Sequence, residues 1–437
     1  MSMATSPSIN TSPQQKDMGY DTSRTRRAIL VGMIGNVMEW YDFAVYGYFA
    51  AIIGRHFFPA EDPVSSLLAA FGVFAAGFLM RPIGSIVFGH IGDHAGRKAA
   101  LTLSVLAMAI PTLMIGLLPT YAQIGVAAPA LLVLLRLVQG LSVGGEYGTS
   151  IIFLVEHASP GRRAFFGGWS VVGATGGILL GSAVGAIVTS TLGAEETAAW
   201  GWRVPFVLGI TVGLSGLYLR RSLLEDPFGS AEPPPRLPAV EAFRTEWRGI
   251  LKIFGFNVVQ AVGFYVCFVY VTTYWRQVDF ISASKSLEMN SLTMLLLLGL
   301  YPVAGALSDR IGRKPLLLAA EAGMLLLSWP LFWLMHHPST PVILLGQAGF
   351  AVLIAFIGGV GAAMMAEVFP RRVRCTALSI GYNACFALFG GTAPMVAVYL
   401  IQRSHNDLSP AFYLMGAAAV AFAATLTLPE TAKAPLR

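Results

Sequence analysis

From Ala28 onward, long apolar stretches alternate with short polar ones. An α-helix rises about 1.5 Å per residue, so about 20 apolar residues cross a bilayer. Twelve stretches reach that length: 28–53, 65–89, 99–118, 127–155, 165–190, 203–220, 249–274, 286–307, 315–335, 341–366, 375–401 and 410–428. The pattern predicts an all-α polytopic membrane protein with twelve transmembrane helices. The longest connection contains AEPPPRLPAV, which cannot be a helix interior. The expected organisation is a tail over 1–27, an N-terminal six-helix bundle over 28–220 and a central loop over 221–248. A C-terminal six-helix bundle over 249–430 and a tail over 431–437 complete it.

Composition agrees with lipid as the solvent. The chain is 55% hydrophobic and 12% charged, where soluble proteins carry roughly 25% charged residues. Of its 29 lysines and arginines, 21 fall on one side of the predicted spans and four on the other. Positive loops stay inside, so both termini are expected in the cytoplasm. The net charge of +6 then reflects those loops and not a nucleic-acid partner. The polar first 27 residues contain no apolar core with a cleavage site, so they read as a cytoplasmic tail. Cys267, Cys375 and Cys385 lack CxxC spacing and read as small core residues. No GxxxxGK[ST], HExxH or clustered His/Cys set occurs, so neither an enzyme, a cofactor nor a metal is expected.

A charge at the bilayer centre costs roughly 2.5–3.5 kcal/mol. Glu39, Asp42, Arg81, Arg136 and Glu146 accept that cost. At 1.5 Å per residue, Glu39, Arg81 and Glu146 lie roughly 13–17 Å above the cytoplasmic end of their spans. Gly32, Gly35, Asn36, Glu39, Asp42 and Tyr46 share one stripe of the first span, as Arg136, Gln139 and Glu146 do on the fourth. The stripes predict the wall of a polar cavity. Two carboxylates three residues apart resist double ionisation, which suits Glu39, Asp42 and Glu146 to proton coupling. Arg81 or Arg136 would neutralise one of them or bind a substrate carboxylate. The second half offers Asn257, Gln260, Gln347, Tyr382 and Asn383 instead, with Glu321 as its one comparably deep acid. With Tyr46, Gln139 and the two arginines, Asn257, Gln260, Tyr382 and Asn383 are the expected substrate contacts.

The chain also repeats itself. GHIGDHAGRKAAL follows the second span and GALSDRIGRKPLL the eighth, with Asp93 and Asp309 216 residues apart. EHASPGRR ends the fourth span and EVFPRRVR the tenth, with Arg163 and Arg374 211 residues apart. Two strings recurring at nearly one offset indicate parallel structural repeats.

These loops resemble the signature of the major facilitator superfamily. GNVMEWYDFAVYG, GFLMRPIG, RLVQGLSVGGEYGTS, WGWRVPF and FGGTAP together resemble its metabolite:proton symporter branch. The resemblance implies a proton-coupled importer working by alternating access in a bacterial cytoplasmic membrane, expected as a monomer. It also implies a cytoplasmic gate of Asp93, Arg97, Lys98, Glu156 and Arg163, mirrored by Asp309, Arg310, Arg313, Glu367 and Arg374, with Lys314 beside them. The branch usually has Arg or Lys where this chain has His94, which either makes the gate pH-sensitive or is a tolerated polar substitute. Two intramembrane arginines favour an anion, so a di- or tricarboxylate such as 2-oxoglutarate or citrate leads. A proline/betaine-type osmolyte or shikimate is the alternative. Osmosensing members carry a long C-terminal coiled coil, whereas KAPLR follows the last span closely, so the osmolyte ranks second. A membrane sensor without transport is a third reading.

Overall fold

The structure is a computed structural model that describes residues 22–84, 87–88, 97–144, 146–159, 161–223 and 238–436. Its long helices are numbered here by span. The first half contains α1 (Thr22–Phe57), α2 (Pro63–Leu79), α3 (Arg97–Leu117), α4 (Ala127–Ser142 and Glu146–Glu156), α5 (Arg163–Glu196) and α6 (Arg203–Leu223). The second half begins with α7, which runs from Pro238 to Gln277 through a π-helical stretch at Tyr265–Tyr270. It continues with α8 (Ala283–Ile311), α9 (Arg313–Met335) and α10 (Thr340–Val368). The last two are α11, which runs from Arg374 to Ser404 through a π-helical stretch at Phe386–Gly390, and α12 (Ser409–Leu426). Among the described residues, nine helical stretches are long and apolar enough to cross a membrane, and Leu103–Leu117 and Arg203–Leu214 are shorter apolar helices.

The apolar pattern located every helix, and its errors lie at helix ends. Residues 238–248, expected as loop, form the start of α7, bent at Glu246 (φ −123°, ψ 17°). The polar residues 22–27 likewise belong to α1. Local chemistry explains other boundaries. Asp62 caps α2 by accepting from the backbone N–H groups of Val64 (3.1 Å) and Ser65 (3.0 Å), ahead of Pro63 at the first helical position. The Val64 bond, with that of the Ser65 hydroxyl, holds this carboxyl below the usual carboxylate range. Gly312 alone separates α8 from α9, at φ +122°. That backbone disfavours any side chain.

Helices approach closely wherever glycine faces backbone. A Cβ on Gly140 of α4 would lie 1.9 Å from the Gly77 carbonyl oxygen of α2, and one on Gly177 of α5 would lie 2.3 Å from the Val37 oxygen of α1. A Cβ on Gly305 of α8 would lie 2.5 Å from the Ala164 oxygen of α5. The α5–α8 crossing joins the two halves of the chain. Cys267 and Cys385 are buried, as core residues should be, but Cys375 is exposed.

Gly140→Ala and Gly177→Ala should each cost roughly 1–3 kcal/mol through forced helix separation. The check is the melting temperature of the purified protein, with Gly72→Ala as the control because its added methyl meets nothing within 4 Å. Equal melting of all three variants would contradict this packing.

Candidate functional site

The α1 segment EWYDFAVYGYF places two acids among six aromatic rings. Its helical turn aims Glu39 at α2, where the Glu39 carboxylate meets the Arg81 guanidinium at 3.4 Å. Both groups are buried. Three rings surround the same guanidinium, with centroids 5.1 Å (Trp40), 4.8 Å (Phe43) and 4.2 Å (Phe78) from its central carbon. Arg136 of α4, also buried, lies 4.6 Å from Phe43 and 4.5 Å from Tyr46. Gly77 of α2 lies against it; a Cβ there would sit 3.4 Å from the guanidinium, an ordinary contact. Ring quadrupoles thus supply part of what water would give two cations.

The second half closes the aromatic cluster. Trp40 lies 6.0 Å from Tyr147, 6.4 Å from Tyr265 of α7 and 6.4 Å from Phe386 of α11, centroid to centroid. Tyr382 stacks between Tyr147 (4.6 Å) and Phe386 (4.2 Å). Among the described residues, the Arg81 N–H groups and the Tyr265 hydroxyl make no hydrogen bond. Buried polar groups normally do, so these are open valences at the junction of the halves.

Asp42 faces elsewhere. Its carboxylate accepts from the Thr112 hydroxyl of α3 (2.7 Å), whose oxygen accepts from Gln139 Nε2 (2.7 Å), while Gln139 Oε1 accepts from Arg136 (2.9 Å). The Thr112 proton has a second acceptor, the Met108 carbonyl at 2.8 Å. The four side chains form a relay of hydrogen bonds that runs from the Arg136 cation to the Asp42 carboxylate. Gly209 of α6 leaves room for it, since a Cβ there would lie 3.1 Å from Asp42 and 2.6 Å from Thr112. Beside the relay, α1, α3, α4 and α6 enclose a cavity of about 20 Å³ lined by Glu39, Asp42, Ser104 and Ser142, enough for roughly one water.

The halves touch at both ends of this cluster. On one side Tyr48 of α1 donates to the Phe268 carbonyl (3.1 Å) and accepts from Asn290 of α8 (3.0 Å). Phe268 lies in the π-helical stretch of α7, and the neighbouring Cys267 carbonyl accepts from Gln347 (3.1 Å). Such stretches free carbonyls from the helix ladder, and here polar side chains take them up. On the other side Asp309 of α8 accepts from the first backbone N–H groups of α5, Ala164 (3.0 Å) and Phe165 (2.9 Å). A carboxylate from one half therefore caps a helix of the other. Arg313 pairs with Asp309 (2.9 Å) and makes a two-pronged contact with Glu367 (3.0 and 3.2 Å). Arg163 reaches Glu367 at 3.6 Å, and Arg374 pairs with Glu156. The chain end joins in: Thr431 donates to Glu367 (2.6 Å) and the Ala434 carbonyl accepts from Arg163 (2.9 Å). Glu430 accepts from the backbone N–H groups of Arg313 and Lys314 at the start of α9. Burial works to raise the pKa of Glu430, but these bonds and that of Ala432 outweigh it, so it lies below the usual range.

The structure therefore sorts the residues that the sequence singled out. Glu39 and Asp42 line one small cavity, yet each takes its own partner on a different helix. Glu39, Arg81, Arg136, Tyr46 and Tyr382 share the aromatic cluster, and Gln139 joins the relay. Asn383 instead donates to the Gly144 carbonyl where α4 is interrupted. Asn257 is spent on the Ile253 carbonyl and Met365 sulfur of its own half. Gln260 lies against Gly358 and bonds Tyr301. Glu321 accepts from Thr425 between α9 and α12. In the gate Arg310 is exposed and outside the network. Asp93 and His94 lie outside the described residues, and Arg97, Lys98 and Glu146 are placed on helices without described side chains. Sequence reasoning missed Trp40, Phe43, Thr112, Tyr147, Asn290 and Phe386. The density of rings beside Glu39 was the available signal.

Three kinds of likeness place the chain. The sequence model of the family described as "Sugar (and other) transporter" matches residues 28–228 and 240–437. The glycine betaine/proline/ectoine/pipecolic acid transporter OusA of Dickeya dadantii is 36% identical over 430 residues, 95% of this chain and 86% of that one. The proline/betaine transporter of Escherichia coli K12 is 35% identical over the same shares. A putative proline/betaine transporter of Staphylococcus aureus is 37% identical over 92% of this chain and 88% of that one. The fold matches the proton:xylose symporter XylE bound to 6-bromo-6-deoxy-D-glucose. The TM-score is 0.75 at 17% identity, over 95% of this chain and 98% of that one.

Asp309→Asn should slow exchange of substrate across the membrane at least tenfold while changing its dissociation constant less than threefold, because the cap it weakens joins the halves and touches no binding group. Flux in proteoliposomes set against equilibrium binding checks this, and equal losses in both would refute it. Because the Glu430 pKa is depressed on folding, its cap should be present above the ordinary glutamate range, near pH 4.3. It should be lost as pH falls through the lower folded value. In Glu430→Gln, the fall in melting temperature on acidification should be shallower than in the parent.

Proposed function

The chain belongs to the sugar (and other) transporter family, within the major facilitator superfamily, and from that premise we propose that it is a proton-coupled symporter of a small zwitterionic osmolyte of the proline or betaine kind. It works by alternating access in the bacterial cytoplasmic membrane, with both termini inside and two six-helix bundles rocking against each other. The relatives' substrates favour this over the di- or tricarboxylate that the sequence ranked first.

One observation carries the reading: the Arg81 guanidinium, which pairs with Glu39 but among the described residues makes no hydrogen bond, adjoins aromatic faces contributed by both halves. A carboxylate would bind the guanidinium through paired N–H groups. An ammonium, quaternary or secondary, would lie against Trp40, Tyr147, Tyr265, Tyr382 or Phe386, a contact of up to about 2 kcal/mol when desolvated. Both ends of a zwitterion are thereby matched.

Charge arithmetic supplies the coupling. Glu39, Asp42, Arg81 and Arg136 sum to zero when all are ionised and to +1 when Asp42 holds a proton. The protonated cluster attracts one carboxylate, and the bound carboxylate favours the proton, so the two ligands bind each other's state. A di- or tricarboxylate would leave uncompensated negative charge in a buried site. The hydrogen-bond chain registers the change: once Asp42 is protonated its O–H can donate to Thr112, whose own proton turns to the Met108 carbonyl, so that Asp42 and Gln139 share the Thr112 oxygen.

Glycine betaine and proline should raise the melting temperature of the purified protein, whereas 2-oxoglutarate, citrate and shikimate should not. Stabilisation by citrate alone would restore the organic-acid reading. Trp40→Leu should weaken glycine betaine roughly tenfold or more in equilibrium binding. Asp42→Asn, a fixed mimic of the protonated state, should keep counterflow but lose uptake driven by a pH gradient. Gradient-driven uptake at the parental rate would remove Asp42 from the mechanism.

A further inference from the structure

The start of α7 has a surface that transport does not use. Val240, Phe243, Trp247 and Leu251 recur at spacings of three and four and are all large, apolar and exposed. The opposite side packs inward through Ala242, Ile250 and Ile253, all buried. The bend at Glu246 divides this segment from the body of α7.

Its charges are arranged unequally. Glu241 is engaged by Arg372 (2.9 Å), Glu246 is half-buried and Lys252 donates to the Thr427 carbonyl (2.9 Å). Arg244 and Arg248, one helical turn apart, are exposed on the same side as the apolar stripe, and among the described residues neither forms an ion pair. The Arg248 guanidinium lies 5.4 Å from the Trp247 ring centroid. Indole rings settle at the level of lipid headgroups, so this stack holds a cation at phosphate depth. The same end of the molecule carries the gate pairs Arg374–Glu156 and Arg163–Glu367.

We propose that residues 240–251 form a binding surface for an anionic phospholipid, with Val240, Phe243, Trp247 and Leu251 among the upper acyl chains and Arg244 and Arg248 on the headgroup phosphate. An apolar stripe alone would accept any lipid. The two guanidinium groups supply the preference, because arginine matches phosphate through paired N–H groups. Each basic residue near an anionic surface is expected to contribute roughly a fivefold preference.

The test uses the full chain reconstituted in phosphatidylcholine and does not depend on any substrate. Trp247 emission, taken as the parent minus Trp247→Phe, is quenched with dibrominated phosphatidylglycerol or dibrominated phosphatidylcholine at equal mole fraction. Phosphatidylglycerol should quench at roughly fivefold or more lower mole fraction. Arg248→Gln should reduce that preference severalfold, and the Arg244→Gln/Arg248→Gln pair should bring it to parity while the melting temperature holds. Equal quenching by both lipids in the parent would overturn the proposal. So would a preference that survives the double variant, or no quenching by either lipid, which would mark the stripe as a surface for another protein.

Discussion

The middle of the molecule is governed by two guanidinium groups that have no access to water. Moving one such ion from water into the protein interior costs several kcal/mol after relaxation, and Arg81 and Arg136 sit side by side around Phe43. Aromatic faces, one nearby carboxylate and one hydrogen-bonded relay offset that cost. Each compensation dictates sequence elsewhere. Gly209 must stay small to admit the relay. The aromatic run of α1 solvates cations as well as filling volume.

The same economy of parts joins the two halves. Polar groups that a helix cannot satisfy internally are satisfied across the seam: the first N–H groups of α5 by Asp309, and the Phe268 carbonyl of α7 by Tyr48. Each contact is strong only while the halves are together, and each leaves solvent-accessible polar groups when they part. Water can replace such partners at a helix end. Contacts of this kind therefore separate at lower cost than a buried apolar interface of similar extent.

What could be read from the chain follows from what a bilayer enforces. Each apolar run corresponds to one of α1–α12, since a backbone in lipid must satisfy its own hydrogen bonds. The intramembrane charges were legible for the same reason. Their partners were not: whether Glu39 meets Asp42 or Arg81 depends on helix rotation and crossing, which glycine contacts such as Gly177 against Val37 decide at a distance in sequence. Thr112 and Asn290 are ordinary polar residues in apolar spans, and only packing reveals them as relay and closure. The charged positions around Asp309 and Arg374 were legible because the chain repeats their motifs. The start of α7 was not legible because AEPPPRLP carries four prolines and the helix begins on the last of them, Pro238.

The single residue between α8 and α9 has a consequence for how such chains can change length. Asp309 and Arg313 meet across Gly312, so one inserted residue would lengthen that junction and displace the start of α9 relative to α8. That displacement would carry Arg313 away from Glu367 as well as from Asp309. An insertion here is therefore expected to cost more than one at the opposite ends of these helices, because the ion pairs depend on the spacing itself.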